Sequence, residues 1–125
     1  MANEHWKEEP EEQDFPSAHR FLSLLMEPQR AKRLTRALKQ SSRLEFFMAQ
    51  DILRASGLPL LPSDDHEVAT DLTKVKSGER LSPVLLVRGT PLWIADGYHR
   101  VCASYHIDED AEIPSRIVTR SDGAH

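Results

Sequence analysis

The stretch Trp93-Ile-Ala-Asp-Gly-Tyr-His-Arg-Val-Cys-Ala-Ser-Tyr105 leaves this chain fewer choices than any other. Leu92 to Ala95 read as the end of a buried strand, and Tyr98 to Tyr105 as a helix. Between them Gly97 can adopt backbone angles closed to other residues. A strand that breaks at a glycine and restarts as a helix aims free backbone N–H groups, and the positive end of the helix dipole, at one spot. Such a spot is a ready anion site. His99 and Arg100 fall in the first turn, where cationic side chains oppose the dipole unless an anion meets them. The plainer alternative is a turn in which Arg100 pairs with Asp96 and His99 is merely exposed.

The chain has 125 residues and a formal net charge of −4. One domain with a real core is expected, and neither a globally basic nucleic-acid binder nor an acidic buffer. Cys102 is the single cysteine, which rules out an internal disulfide and a thiolate-rich metal site and favours a reducing, cytoplasmic setting. No apolar run approaches the roughly 18 residues that would cross a bilayer, and no signal-peptide pattern opens the chain. No membrane partner is expected.

Residues 1–16 hold six acids against Lys7 alone, with prolines at 10 and 16. They read as a flexible acidic tail, in which only Trp6 and Phe15 are equipped to dock. A helical extension is expected over 17–56. Ser17 caps a first helix, and Glu27-Pro28 breaks it and opens a second over 28–40. A third runs from about Ser42, carrying Leu44, Phe47, Met48, Ile52 and Ala55, and ends at a left-handed Gly57. The large apolar side chains Phe21, Leu24, Leu25, Phe46 and Phe47 exceed what so few helices can bury, so a homodimer through residues 17–56 is expected. The second helix is also basic. Arg30, Arg33 and Arg36 make a candidate nucleic-acid face, but without interleaved aromatics a solvated face is preferred and DNA is the less favoured partner.

A core is expected over 57–118. Ser63-Asp-Asp-His-Glu67 offers two overlapping caps, with Asp64 and Glu67 at capping-box spacing, for a helix that ends near Gly78. Leu81-Ser-Pro-Val-Leu-Leu-Val87 is the continuous apolar run of a strand buried on both faces. Arg88-Gly-Thr-Pro91 turns it into an antiparallel hairpin. Ile113 to Val118 gives a last strand with Pro114 at an edge or a start, and residues 119–125 form a C-terminal tail that frays from residue 120. The whole is an α/β (α+β) chain with a short mixed sheet.

The order of parts resembles the ParB/sulfiredoxin superfamily. A helix leads to Leu81-Ser-Pro-Val84, and a hairpin leads into Asp96-Gly97-Tyr98-His99-Arg100. Ala103 and a closing Ile113-Pro-Ser-Arg-Ile-Val118 follow. Partition proteins of that group carry "G-E-R-R-x-R-A" where this chain has Gly97-Tyr-His-Arg-Val-Cys-Ala103. Phage and plasmid ParB-like proteins with "D-G-H-H-R" are nearer, matching at Asp96, Gly97, His99 and Arg100. The likeness covers residues 50–118 and leaves the helical front end outside it.

That resemblance implies a small ParB/sulfiredoxin-like domain binding a nucleotide or phosphorylated small molecule, CTP or ATP with Mg2+, over the Gly-x-His-Arg turn. Gly97 would admit the phosphate, the amides of Tyr98, His99 and Arg100 would donate to it, and a solvent-facing Arg100 would add a fork of donors. Tyr98 would stack on a base or pack. Asp96 is the candidate metal ligand or general base, with an alternative role as helix cap or partner of Arg100. The departures also count. Tyr98 stands where the reductases need a cysteine, which argues against sulfinic acid reduction. Tyr98 also replaces the partition proteins' glutamate, which puts hydrolysis in doubt. A binding module is thus the leading reading. A magnesium-dependent phosphoryl-transfer or nucleotide-hydrolysing enzyme, or a ligand-free scaffold working through its helices, is the alternative.

Overall fold

The structure, a computed structural model, describes residues 4–123. Residues 1–3 and 124–125 of the two expected tails lie outside the described residues. The chain is a small α/β protein with N-terminal helices. Its elements run α1 (Asp14–Leu22), α2 (Pro28–Gln40), β1 (Glu45–Met48), α3 (Ala49–Ser56), α4 (His66–Lys76), β2 (Val84–Arg88), β3 (Trp93–Asp96), α5 (Tyr98–Ile107) and β4 (Glu112–Thr119), closing with a 3-10 turn at Arg120–Gly123. The four strands form one mixed sheet in the order β1-β4-β2-β3. β2 and β4 run parallel in the centre, and β1 and β3 pair antiparallel at the edges.

The apolar run of β2 is buried on both faces for a visible reason. Val84 and Leu86 join the core under α3, α4 and α5, whereas Leu85 and Val87 join a second core under α1 and α2. Alternate residues point to opposite faces of a strand, so a strand between two helical layers needs apolar side chains throughout. β4 divides its residues in the same way: Ile113 faces the first core and Val118 the second. Arg116 is the exception. Its Nη1 donates to the carbonyls of Leu38 at 3.2 Å and Lys39 at 2.9 Å, at the C-terminal end of α2, where free carbonyls and the negative dipole end favour a cation.

Three expectations need correction. The third helix does not begin at Ser42: Glu45 to Met48 pair with β4, Phe46 opposite Pro114 and Phe47 opposite Ile113, and the helix starts at Ala49. The sheet therefore takes a strand from the expected helical extension, and a boundary at 56/57 would cut it. The acidic segment is not a free tail over its described part. Trp6 is 3% exposed and bridges Leu81, with Lys7 N–H donating to the Leu81 carbonyl at 2.7 Å and Leu81 N–H to His5 at 2.8 Å. Helix α1 begins at Asp14 rather than Ser17, with Phe15 buried. Burying two aromatic side chains offsets the ordering cost that the acidic composition suggested would prevail. At the other end, Gly123 packs on Leu34 and its carbonyl accepts from Arg33 Nε at 3.1 Å, so the chain past Thr119 is docked as far as Gly123. Among the described residues, no helix is long and apolar enough to cross a membrane.

Candidate functional site

β3 ends at Asp96 and α5 begins at Tyr98, with Gly97 between them in the left-handed region at φ 112°. A Cβ there would stand 2.6 Å from Val84 Cγ1 and 2.9 Å from Arg100 Nη2, so both backbone angles and space require glycine. The first helical bond is Val101 N–H to the Gly97 carbonyl at 3.0 Å. No side chain caps the helix. The amides of Tyr98, His99 and Arg100 precede any intrahelical acceptor, and none of them has a partner among the described residues.

A pocket of about 530 Å³ lies over this turn. Besides residues 96–100 it is lined by Ser17 from α1 and by His66, Glu67, Thr70 and Asp71 from α4. α4 reaches the turn because it packs along α5, its start fixed by Asp65, whose carboxylate accepts from the amides of Glu67 and Val68, both at 3.2 Å. Glu67 Oε2 lies 2.7 Å from His99 Nδ1. Asp71, half-buried, has no hydrogen-bond donor among the described residues, and burial pushes its carboxyl above the usual range against the pull of Arg100, Lys74 and His99.

Arg100 is not the solvent-facing fork that its sequence position suggested. Its side chain is 16% exposed, with Nε donating to the Ser82 carbonyl at 2.9 Å, and Nη2 to Pro83 at 3.3 Å and to Asp96 Oδ2 at 3.1 Å. Asp14 Oδ2 stands 4.0 Å from the same Nη2. The guanidinium ties α5 to the start of β2, where Pro83 leaves free carbonyls. Asp96 is equally engaged: Oδ1 accepts from Ser17 Oγ at 2.8 Å and Oδ2 from Arg100. It therefore does not cap α5. Burial raises its carboxyl above the ordinary value, opposed by Arg100 and the Ser17 bond.

The other candidates separate. Tyr98 lines the pocket while its hydroxyl donates to the Pro59 carbonyl. Cys102 is buried behind it, and burial pushes its thiol up, away from reactivity. Arg30 and Arg33 reach the carbonyls of Arg120 and Gly123 at 3.4 and 3.1 Å, whereas Arg36 lines a groove with Lys32 and Lys39. They form no single cationic face. From the sequence, Ser17 and Glu67 were given capping roles only, and Thr70 and Asp71 were not singled out. Ser17 meets Asp96 across 79 positions, with no local pattern to announce it.

Chemically, three unpaired amides at a helix start favour an anion, whereas Asp71, Asp96 and Glu67 favour a cation. Among the described residues no three His, Cys, Asp or Glu side chains stand ready to hold a metal alone. Magnesium, however, commonly takes one or two carboxylates and completes its shell with phosphate oxygens and water. Asp71, lacking a donor, suits that part. No protein-family model, curated protein or solved structure matches the chain.

Proposed function

We propose that the chain binds a nucleotide or other phosphorylated small molecule, together with magnesium, in the pocket over Gly97. One observation carries this reading: the three residues of α5 with unpaired amides and Asp71, whose carboxylate has no hydrogen-bond donor among the described residues, line the same 530 Å³ pocket. Either set alone suits half of a ligand. A phosphate–magnesium pair satisfies both. The resemblance of Asp96-Gly97-Tyr98-His99-Arg100 to ParB/sulfiredoxin-like proteins supports CTP or ATP as the ligand class.

In this reading the amides of residues 98–100 hold phosphate oxygens, and His99, oriented by Glu67, adds a donor. Arg100 acts as a positioning residue that fixes α5 and lends positive potential from behind. Asp71 would hold the magnesium, which would offset the phosphate charge beside the acidic wall. Hydrolysis or phosphoryl transfer through Asp96 finds less support, because both its oxygens are already engaged. A cytoplasmic protein fits, since nucleotides and magnesium are plentiful there.

A thermal-shift screen of ATP, CTP and their diphosphates, with and without magnesium, tests this. A ligand selective for the native state raises the melting temperature. The expected result is a rise that needs both nucleotide and magnesium; no shift with any combination would refute the reading.

A further inference from the structure

The free edge of β1 is a second feature that the ligand site does not use. Phe46 is paired with Pro114, and a proline has no N–H to give. That pair is therefore a non-hydrogen-bonded one, and the ladder bonds to β4 run through Glu45 and Phe47. The N–H and C=O groups of Leu44 and Phe46 and the N–H of Met48 must then point away from β4, to the open side, whereas the Met48 carbonyl is taken by the first turn of α3. No described residue bonds to those of Phe46, and its side chain is 41% exposed. The opposite edge is managed differently: β3 meets β2 through a register irregularity, has α1 packed against it, and ends at Asp96 bound to Ser17. Beside β1, Glu4, Trp6, Lys7 and Glu8 approach Leu44 and Phe46 only across a cleft of about 310 Å³. The outward row of β1, Leu44, Phe46 and Met48, contains neither charge nor proline, the usual means of blunting an edge.

We infer that β1 pairs antiparallel with β1 of a second copy of this chain, about a two-fold axis at Phe46, to make a continuous eight-stranded sheet. The strand is complementary to itself in that register. Phe46 meets Phe46 of the second copy, in a pair that exchanges both backbone bonds, and Leu44 meets Met48. Glu45, on the other face, is 3.8 Å from Arg88 of its own chain, which relieves its approach to the Glu45 of the second copy. An isologous contact of this kind closes on itself as a dimer. It narrows self-association through residues 17–56 to one strand.

Sedimentation at roughly tens of micromolar, where a standard-sized interface holds, should give a dimer for the wild type. Phe46→Pro removes an N–H that β4 does not use, so it should give a folded monomer whose melting temperature, unlike that of wild type, no longer depends on protein concentration. Cross-linking gives an independent reading, since the sole native cysteine is buried. In the proposed register the Cα atoms of the two Phe46 residues stand about 5.5 Å apart, within disulfide reach. The two Leu44 residues are four positions out of register, about 13 Å apart. Phe46→Cys should therefore form a disulfide dimer under mild oxidation and Leu44→Cys should not. A wild-type monomer, a dimer that survives Phe46→Pro, or cross-linking of Leu44→Cys equal to that of Phe46→Cys would overturn the inference.

Discussion

Arg100 Nη2 stands 3.1 Å from Asp96 Oδ2, joining the last residue of β3 to the first turn of α5 across Gly97. The pair turns a motif that reads as a ligand site into one that first holds the fold. Arg100 also donates to two carbonyls of the β2 entrance and faces Asp14, so its removal leaves two acids of the α1–β3 layer without their cation.

Arg100→Ala should therefore cost stability, by about 3 kcal/mol, the lower end for breaking a buried pair because both side chains keep some solvent contact. Arg100→Lys should recover only part, since an ammonium cannot reach two carbonyls and a carboxylate as a planar fork does. Urea unfolding of the three proteins measures this directly.

Trp6→Ala tests whether the acidic segment belongs to the domain. Truncating a fully buried tryptophan costs about 3–5 kcal/mol, and the bridge to Leu81 should loosen with it. Hydrogen exchange at the Leu81 amide, which donates to His5 at 2.8 Å, should quicken in the variant relative to the central amides of β2.

Asp71 gives a pH prediction of definite sign. Its carboxyl is raised above 3.8 by burial, so the native state holds a proton more tightly than the unfolded chain does. The resulting stability is fully present below the unfolded value and is lost as pH rises through the raised native value. Asp71→Asn cannot suffer that loss. In the absence of ligand it should match wild type in acid and exceed it at neutral pH, by chemical denaturation across the pH range.

Gly97→Ala should destabilise by more than about 1 kcal/mol, from the left-handed backbone and the 2.6 Å approach to Val84. Gly57→Ala makes a useful control, because its φ is also positive, at 71°, but no atom lies within 4 Å of the added methyl. The difference between the two melts isolates the steric part.

Much of the core was legible because its signals are local. The glycine at 97, the hairpin through Arg88-Gly-Thr-Pro91 and the doubly buried β2 each follow from neighbouring residues. β1 was not, since Phe47, Met48, Ile52 and Ala55 fit a helical face as well as any, and only pairing with Ile113 and Ser115 makes residues 45–48 a strand. The same holds at the site. The Asp96–Arg100 pair was among the alternatives that four-residue spacing offers, but the carbonyls of Ser82 and Pro83 and the hydroxyl of Ser17 arrive from other elements. Asp71 was unremarkable on its own helix, and it matters only because α4 lies along α5.

The central claim is that amides and acids around Gly97 together hold a phosphate with its magnesium. Calorimetric titration of wild type, Asp71→Asn and Thr70→Trp with MgATP and MgCTP tests it most directly. Thr70 is exposed at the pocket wall, its hydroxyl bonded only within its own helix, so a large side chain there fills the space without disturbing the core. The account predicts that wild type binds at least one of the two, that magnesium-free nucleotide binds more weakly, that Asp71→Asn erases that difference, and that Thr70→Trp abolishes binding. A wild type silent to every nucleotide, or a Thr70→Trp variant that binds as well as wild type, would contradict it.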